Sequence, residues 1–293
     1  MFTGGADCIT IQAAAGYTAR MTRLPFMQQL RQRWQARDTL LCVGLDPDIK
    51  RLPSAVGSGP GAFLAFCRAI VDATAPYVCA FKPQIAYFAA QGREAELEAL
   101  IRHVHEAHPG IPVILDAKRG DIGDTARLYA EEAFERYDAD AVTVNPYLGK
   151  ESVEPYFAWP DRGVVLLCRT SNPGSAWLQE YPPGAPVFER VAVAAREWNQ
   201  HDNLMLVAGA TYPEDLGRIR ALVGEMPLLV PGIGAQGGDL AEVLSHGLTG
   251  EGEGLVVNMS RAVLYASNGS DFEAAAGRVA AEFCTEVRRL RGS

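Results

Sequence analysis

The chain of 293 residues is 48% hydrophobic and 21% charged, a globular composition with enough apolar material for a large core. Its formal net charge of −8 argues against a broad surface for nucleic acid or an anionic membrane, so an anionic ligand needs a local cluster of cations and amides. No apolar run approaches the roughly 20 residues of a membrane-spanning helix. We expect a cytoplasmic protein whose partners include neither nucleic acid nor a membrane.

The cysteines do not occur at spacings typical of a metal site, whereas three histidines look like a ligand cluster. The six cysteines are scattered without a C-x-x-C pair, which fits small apolar side chains in a reducing cytoplasm. His103, His105 and His108 precede Pro109-Gly110 on a polar helical stretch. A solvated helix end explains them better than a metal site, because tetrahedral ligand sets usually draw on several elements.

The first twenty residues lack the basic start and the apolar core of a secretory signal. A more natural beginning is Met21, which opens the segment MTRLPFMQQLRQRW. We expect residues 1–20 to be a disordered extension or a start-site artefact, and residues 21–293 to form the folded domain.

The rest of the chain alternates short apolar strands with amphipathic helices. The predicted strands are Leu40–Leu45, Val78–Lys82, Pro112–Asp116, Ala141–Asn145, Val164–Cys168, Leu204–Ala208, Leu228–Pro231 and Gly254–Val257. The predicted helices include Gly61–Ala75, Glu94–Ala107, Asp124–Tyr137, Pro186–Asn199, Glu214–Leu222, Asp239–Leu244 and Asp271–Arg289. Eight βα units over about 250 residues predict a single-domain α/β fold, the (β/α)8 TIM barrel, with a doubly wound open sheet as the alternative.

Polar residues stand at or just after the end of every predicted strand. In chain order they are Asp46, Lys82, Asp116 with Lys118, Asn145, Thr170-Ser171, Gly209-Ala210-Thr211, Gln236 and Arg261. One such residue could be a turn former, but the carboxyl-terminal rim is the catalytic face of these barrels. The whole series therefore predicts an active site at this rim.

The densest group of charges lies in the segment LDAKRGDIGDTARLYA, Leu115–Ala130. Asp116 and Lys118 are two residues apart, so on a strand they point to one face. Asp121 falls at or near the start of the next helix, where a carboxylate suits unpaired backbone amides. Two acids and a base in such proximity are costly to arrange for packing alone, and they indicate chemistry.

A phosphate site is predicted beside this group of charges. The segment Pro231–Asp239, PGIGAQGGD, contains four glycines, which let backbone amides approach an anion, and a helix opens at Gly238-Asp239. Arg261 follows the eighth strand. The loops after strands seven and eight commonly hold phosphate in barrel enzymes, and a guanidinium matches phosphate oxygens.

The ordered set of motifs resembles the orotidine 5′-phosphate decarboxylase family, in its longer bacterial branch, type 2. The resemblance covers Leu40 to Ser267 and rests on LCVGLDP, FKPQIAYF, LDAKRGDIGDT, VNPYLG, TSNPG, PGIGAQGGD and SRAVLYA. It implies a (β/α)8 enzyme of pyrimidine biosynthesis that converts orotidine 5′-phosphate to uridine 5′-phosphate and carbon dioxide without metal or cofactor.

The resemblance also implies which residues carry the reaction. Lys82, Asp116, Lys118 and Asp121 correspond to the family's alternating charged array. The family is a homodimer with shared sites, so Asp121 and Thr125 would reach the site of the partner chain. The implied substrate contacts are Asp46 and Lys82 with the ribose, Ser171 with the pyrimidine, Gln236 with base and phosphate, and Gly237, Gly238 and Arg261 with the phosphate.

Loss of carbon dioxide leaves a carbanion at carbon 6 of the pyrimidine. Without a cofactor to accept the electron pair, stabilisation must come from pre-arranged charges. Lys118 would stabilise the carbanion and donate the proton, while Asp116 and Asp121 keep its ammonium charged and oriented.

Two alternative functions remain. A magnesium-dependent sugar-phosphate decarboxylase or aldolase of the same barrel group would need an acidic ligand where this chain has Lys82. A phosphate-binding barrel without catalysis would bind nucleotide but not turn it over.

The chain departs from the family pattern in places. Ser260 precedes Arg261 where many relatives have glycine, and Arg169 has no derivable role beyond a salt bridge at the rim.

Overall fold

Eight apolar segments of the described chain form short strands, each parallel to its neighbours. The computed structural model describes residues 23–59, 61–233 and 238–292. The expectations for residues 1–20, Gln236 and Gly237 therefore lie outside the described residues. The strands are β1 (Leu41–Leu45), β2 (Ala80–Pro83), β3 (Ile114–Arg119), β4 (Ala141–Val144), β5 (Gly163–Arg169), β6 (Leu204–Ala208), β7 (Leu228–Pro231) and β8 (Leu255–Met259).

Helices follow the strands and cover the outside of the sheet. They are α1 (Phe26–Arg37), α2 (Ala62–Thr74), α3 (Ile85–Ala89), α4 (Glu94–Ala107), α5 (Gly123–Glu131), α6 (Ala176–Gln179), α7 (Val187–Trp198), α8 (Pro213–Val223), α9 (Leu240–Gly247), α10 (Arg261–Leu264) and α11 (Phe272–Arg291). A π-helical turn, Glu132–Arg136, continues α5. Short 3₁₀ helices lie in the connections, at Ile49–Arg51, Ser54–Val56, Ala75–Tyr77, Pro146–Leu148, Lys150–Ser152, Glu154–Ala158 and Pro173–Ser175.

The sheet closes on itself. Its hydrogen-bonded order runs β2-β1-β8-β7-β6-β5-β4-β3, and the two ends meet through bridges from Phe81 to Val113 and from Gln84 to Asp116. The fold is thus a single (β/α)8 barrel, which confirms the prediction and excludes the open sheet. The third strand was predicted to end at Asp116 but continues to Arg119, with consequences for the site.

Apolar residues fill the barrel because parallel strands are covered on both faces. β1, β2, β4 and β6 are buried along their whole length. Helix α1, which was not among the predicted helices, contributes Phe26, Leu30 and Trp34 to the core. The Phe26 ring packs against Gly163 at the start of β5, so α1 covers the amino-terminal end of the barrel.

A buried carboxylate, Asp140, joins several elements at that same end. Its oxygens accept hydrogen bonds from Arg23 Nε (3.0 Å), Gln29 Nε2 (3.2 Å) and the Val113 amide (2.8 Å), and lie 2.9 Å from His105 Nε2. Burial favours a high pKa for Asp140, but His105 and Arg23 outweigh it and lower the pKa. The expectation of a solvated helix end is therefore wrong for His105, whose side chain is only 9% exposed.

Two simpler expectations concern cysteines and membrane segments. The five cysteines in the described ranges are buried free thiols, as their apolar surroundings predicted. Within those ranges, none of the helices combines the length and the apolar character needed to cross a membrane.

Gly163→Ala is expected to destabilise the barrel. A Cβ atom at this position would lie 2.3 Å from Phe26 Cδ1 and 2.8 Å from Ala141 Cβ, and such overpacking usually costs about 1–3 kcal/mol. Gly250→Ala is the matched control, because no atom lies within 4 Å of its added Cβ. Circular dichroism on heating should show a Tm several degrees lower for the first variant only. Equal Tm values would contradict the packing of α1 against β5.

Candidate active site

A cavity of about 410 Å³ opens at the carboxyl ends of the strands, a usual size for a small-molecule site. Its floor is apolar, with Val207, Leu229 and Met259 among the lining residues. Its polar lining consists of Asp46, Lys82, Gln84, Tyr87, Asp116, Lys118, Thr143, Asn258, Ser260 and Arg261. The cavity therefore combines five of the predicted site residues, namely Asp46, Lys82, Asp116, Lys118 and Arg261.

One carboxylate lies between two ammonium groups at the centre of this lining. Lys82 Nζ lies 2.8 Å from Asp116 Oδ2, and Lys118 Nζ lies 2.6 Å from Asp116 Oδ1. The Lys82 side chain is 6% exposed, whereas that of Lys118 is 48% exposed. Lys82 is thus largely buried in the cavity wall, and Lys118 is the more accessible of the two ammonium groups.

The charges of this group support one another. Burial favours a low pKa for Lys82, but the negative charges of Asp116 and Asp46 outweigh it and raise the pKa. Burial favours a high pKa for Asp116, but Lys82 and Lys118 outweigh it and lower the pKa well below its usual range. Both groups are therefore charged at neutral pH.

A β-bulge presents the side chain of Lys118 to the cavity. Where β3 pairs with β4, the register shifts between Leu115 and Arg119, and Lys118 has a φ of 46°. Positive φ is uncommon for a residue with a side chain and occurs often at functional sites. Regular strand alternation, which the sequence suggested for Asp116 and Lys118, is thus replaced by a bulge that directs both side chains to one place.

Thr143 on β4 stabilises the bulge. Its hydroxyl oxygen accepts hydrogen bonds from the amides of Ala117 and Lys118, both at 2.9 Å, and its hydroxyl donates to Asp116 Oδ1 at 3.0 Å. One buried threonine therefore fixes both the backbone of Lys118 and the carboxylate of Asp116. The sequence prediction missed Thr143, although a polar residue in the apolar strand AVTV was a signal.

Two buried oxygens of the lining have no hydrogen-bond partner among the described residues. They are Asp46 Oδ1 and Asn258 Oδ1. An unsatisfied buried acceptor is costly unless a ligand or water donates to it, so both suit the hydroxyl or N–H groups of a ligand. Asn258 was missed by the sequence prediction, although its place at the end of β8 resembles that of the other rim residues.

The predicted phosphate end is described only in part. Arg261 lines the cavity at the start of α10, whereas Gln236 and Gly237 lie outside the described residues. Gly238 is not part of the lining, and its amide donates to the Gly232 carbonyl oxygen at 3.2 Å. Ser260 has a φ of −115°, so its backbone conformation does not require the glycine of many relatives.

Besides Gly238, three predicted site residues do not line the cavity of their own chain. Asp121, near the start of α5, accepts a hydrogen bond from the Ile122 amide at 2.8 Å. Thr125 faces a different surface groove on α5. Ser171 lies in the loop after β5, where its carbonyl oxygen accepts a hydrogen bond from Thr211 Oγ1 at 3.2 Å.

Arg169 anchors the loop that carries Ser171. The guanidinium pairs with Asp215 at 2.9 Å and with Glu180, and it stacks on Tyr212. Nη1 also donates to Ser175 Oγ at 2.5 Å. Only 1% of the Arg169 side chain is exposed, so the expected salt bridge exists at the end of β5 and its arginine is buried.

Comparisons with known proteins identify the family of this chain. The model of the Orotidine 5′-phosphate decarboxylase / HUMPS family matches residues 39–276. Orotidine 5′-phosphate decarboxylase of Azoarcus sp. (strain BH72) is 62% identical over 268 residues, 91% of this chain and 99% of that protein. The corresponding protein of Cupriavidus necator is 57% identical over 270 residues, 92% of this chain and 99% of that protein.

Solved structures of similar proteins give the same result. OMP decarboxylase of Leishmania donovani has a TM-score of 0.79 and 40% identity, covering 92% of this chain and 100% of that one. UMP synthase of the same organism has a TM-score of 0.81 and 40% identity, covering 91% of this chain. This chain spans 56% of that longer protein. The chain thus belongs to the orotidine 5′-phosphate decarboxylase / HUMPS family.

Proposed function

We propose that this chain converts orotidine 5′-phosphate to uridine 5′-phosphate and carbon dioxide in pyrimidine biosynthesis. The observation that carries the proposal is the arrangement of Lys82, Asp116 and Lys118, with contacts of 2.8 and 2.6 Å, at a rim cavity. Relatives that match nearly their full length, at 57–62% identity, bear the name of this enzyme.

The reaction requires a positive charge beside carbon 6. The bond from carbon 6 to the carboxylate breaks, carbon dioxide leaves, and the electron pair remains on carbon 6. The Lys118 ammonium stabilises this pair and then transfers a proton to carbon 6. Asp116 holds Lys118 in place by a 2.6 Å contact, and Thr143 fixes Asp116, so the charges are arranged before the substrate binds.

We propose that neither a metal nor an organic cofactor takes part. The two oxygens of Asp116 already contact two ammonium groups. A magnesium ion in the same place would be repelled by both ammonium groups, and neither oxygen of Asp116 would be free to bind it. This distinguishes the proposed reaction from the magnesium-dependent sugar-phosphate decarboxylases and aldolases of the same barrel group.

The remaining polar residues suit the rest of a nucleotide. Asp46 Oδ1 is a buried acceptor without a described partner, and we assign it, with Lys82, to the ribose hydroxyls. Arg261 lines the rim after β8, and we assign it to the phosphate together with Gly237, Gly238 and Gln236. Ser171 would contact the pyrimidine amide edge when its loop lies over the cavity.

A homodimer with shared sites accounts for the placement of Asp121 and Thr125. Neither side chain lines the cavity of its own chain, and exposed apolar side chains lie just before α5, on α5 and on the segment after β4. These are Ile122 (50% exposed), Leu128 (54%), Tyr147 (73%) and Leu148 (48%). Apolar side chains grouped in this way favour an interface with another protein. We propose that a second copy covers them and receives Asp121 and Thr125 into its site.

Lys118→Ala is expected to abolish turnover while leaving nucleotide binding intact. Loss of the proton donor and of the charge beside carbon 6 should lower kcat by at least about a thousandfold, roughly 4 kcal/mol. The measurement is the absorbance change of orotidine 5′-phosphate with excess EDTA present, alongside calorimetric binding of uridine 5′-phosphate. Retention of more than about a tenth of the wild-type kcat would remove Lys118 from its role. Wild-type activity that EDTA abolishes and magnesium restores would favour the sugar-phosphate alternative.

Mixing two inactive variants, Lys118→Ala and Asp121→Ala, is expected to restore activity. A heterodimer carries both changes on one of its two shared sites and leaves the other intact. Random subunit exchange should therefore recover about one quarter of the wild-type sites. Each variant incubated alone is the control. Absence of recovery, with exchange demonstrated by differently tagged chains, would refute the shared-site dimer.

Arg169→Met is expected to lower kcat/KM by roughly ten- to a hundredfold, because the loop that carries Ser171 loses its anchor. Arg220→Met is the matched control. Arg220 is another guanidinium held within the fold, but it donates to backbone carbonyl oxygens of Gly247 and Gly254, away from the loop. Both variants should lower the Tm. When kcat/KM is measured on folded protein, at a temperature well below the Tm, only Arg169→Met should lower it. Equal kcat/KM values would limit Arg169 to a structural role.

A further inference from the structure

Two histidines and one aspartate converge at the amino-terminal end of the barrel. Asp72 lies near the end of α2, His103 one residue before the last turn of α4, and His108 just after α4. Each histidine places its Nε2 atom 2.7 Å from Asp72 Oδ1. The three donor atoms all lie within 4.8 Å of one another. Helices run antiparallel to the strands of the barrel, so this cluster lies on the face opposite the active-site cavity.

The backbone after α4 produces this convergence. His103 and His105 are two residues apart on a helix and point in different directions, His105 inward to Asp140. His108 has φ −132° and ψ 60°, so it leaves the helix and turns back towards α2. The rings of His103 and His108 stand at 81° with centroids 6.0 Å apart. They therefore do not stack, and each presents a nitrogen to the same carboxylate oxygen.

The donor set matches the chemistry of divalent transition metals. Imidazole nitrogen suits zinc, copper and nickel, and a carboxylate oxygen is a common third ligand. Ligand distances of about 2.0–2.1 Å require only small movements of side chains that are 21%, 23% and 51% exposed. This exposure also leaves further coordination positions open to water. The three side chains come from α2, from α4 and from the residue just after α4. A metal site usually draws its ligands from several elements in this way, and the histidines of α4 alone would not do so.

We propose that Asp72, His103 and His108 form a binding site for a divalent transition metal ion, which joins α2 to the end of α4. The site is separate from the catalytic group and takes no part in decarboxylation.

Nickel titration of the full chain tests this site. The background is Cys8→Ser, which removes a thiol outside the described residues that could bind metal independently. Calorimetry at pH 8 should show one equivalent of Ni²⁺ per chain. His103→Ala, His108→Ala and Asp72→Asn should each weaken binding by about tenfold or more. His201→Ala is the matched control, because it removes an exposed imidazole elsewhere and should leave binding unchanged.

Asp72→Asn separates metal binding from simple hydrogen bonding. Its amide oxygen still accepts hydrogen bonds from the histidines, so the fold should persist, but it is a poor metal ligand. A second readout is the electron paramagnetic resonance spectrum of bound Cu²⁺, which should show coupling to two nitrogens in the parent protein and to one in His103→Ala. No saturable nickel binding, or binding that all three cluster variants retain, would overturn the proposal. Decarboxylation rates of these variants should equal that of the parent, so the result does not depend on the proposed catalytic function.

Discussion

The buried carboxylate of Asp116 holds two ammonium groups, and the remainder of the active site depends on this interaction. A buried charge is costly unless it is paired and hydrogen-bonded, and Asp116 meets both conditions through Lys82, Lys118 and Thr143. Because Lys82 is buried and Lys118 is half exposed, the pair is asymmetric. Lys82 is the buried partner that neutralises the charge of Asp116. Lys118 is oriented by Asp116 and remains accessible to a substrate.

The backbone at Lys118 is irregular as well. In a regular strand, Lys118 would follow the alternation of β3 and would have no reason to adopt a positive φ. The bulge between Leu115 and Arg119 and the φ of 46° have an energetic cost, which the hydrogen bonds to Thr143 offset locally. Charges arranged during folding need no reorganisation during the reaction, which is the property that electrostatic catalysis requires.

Local patterns predicted the barrel and much of its rim, because strand and helix periods are local properties and strand ends meet at one edge. They did not predict the contacts that depend on distant residues. Thr143 supports Lys118 from the next strand, Arg169 is buried by partners up to 46 residues away, and His105 turns inward to Asp140. The position of Asp121 outside its own cavity was expected only from the family resemblance, since no single-chain pattern reveals a second copy.

The two ends of the barrel carry different groups of polar residues. At the carboxyl end, the buried oxygens of Asp46 and Asn258 line the cavity without a described partner, so they are available to a ligand. At the amino end, Asp140 is fully bonded to groups from several elements. A metal bound by Asp72 and the two histidines would reinforce this end. Because its binding energy would act on helices remote from the rim, it could stabilise the folded barrel without restricting the loops over the site.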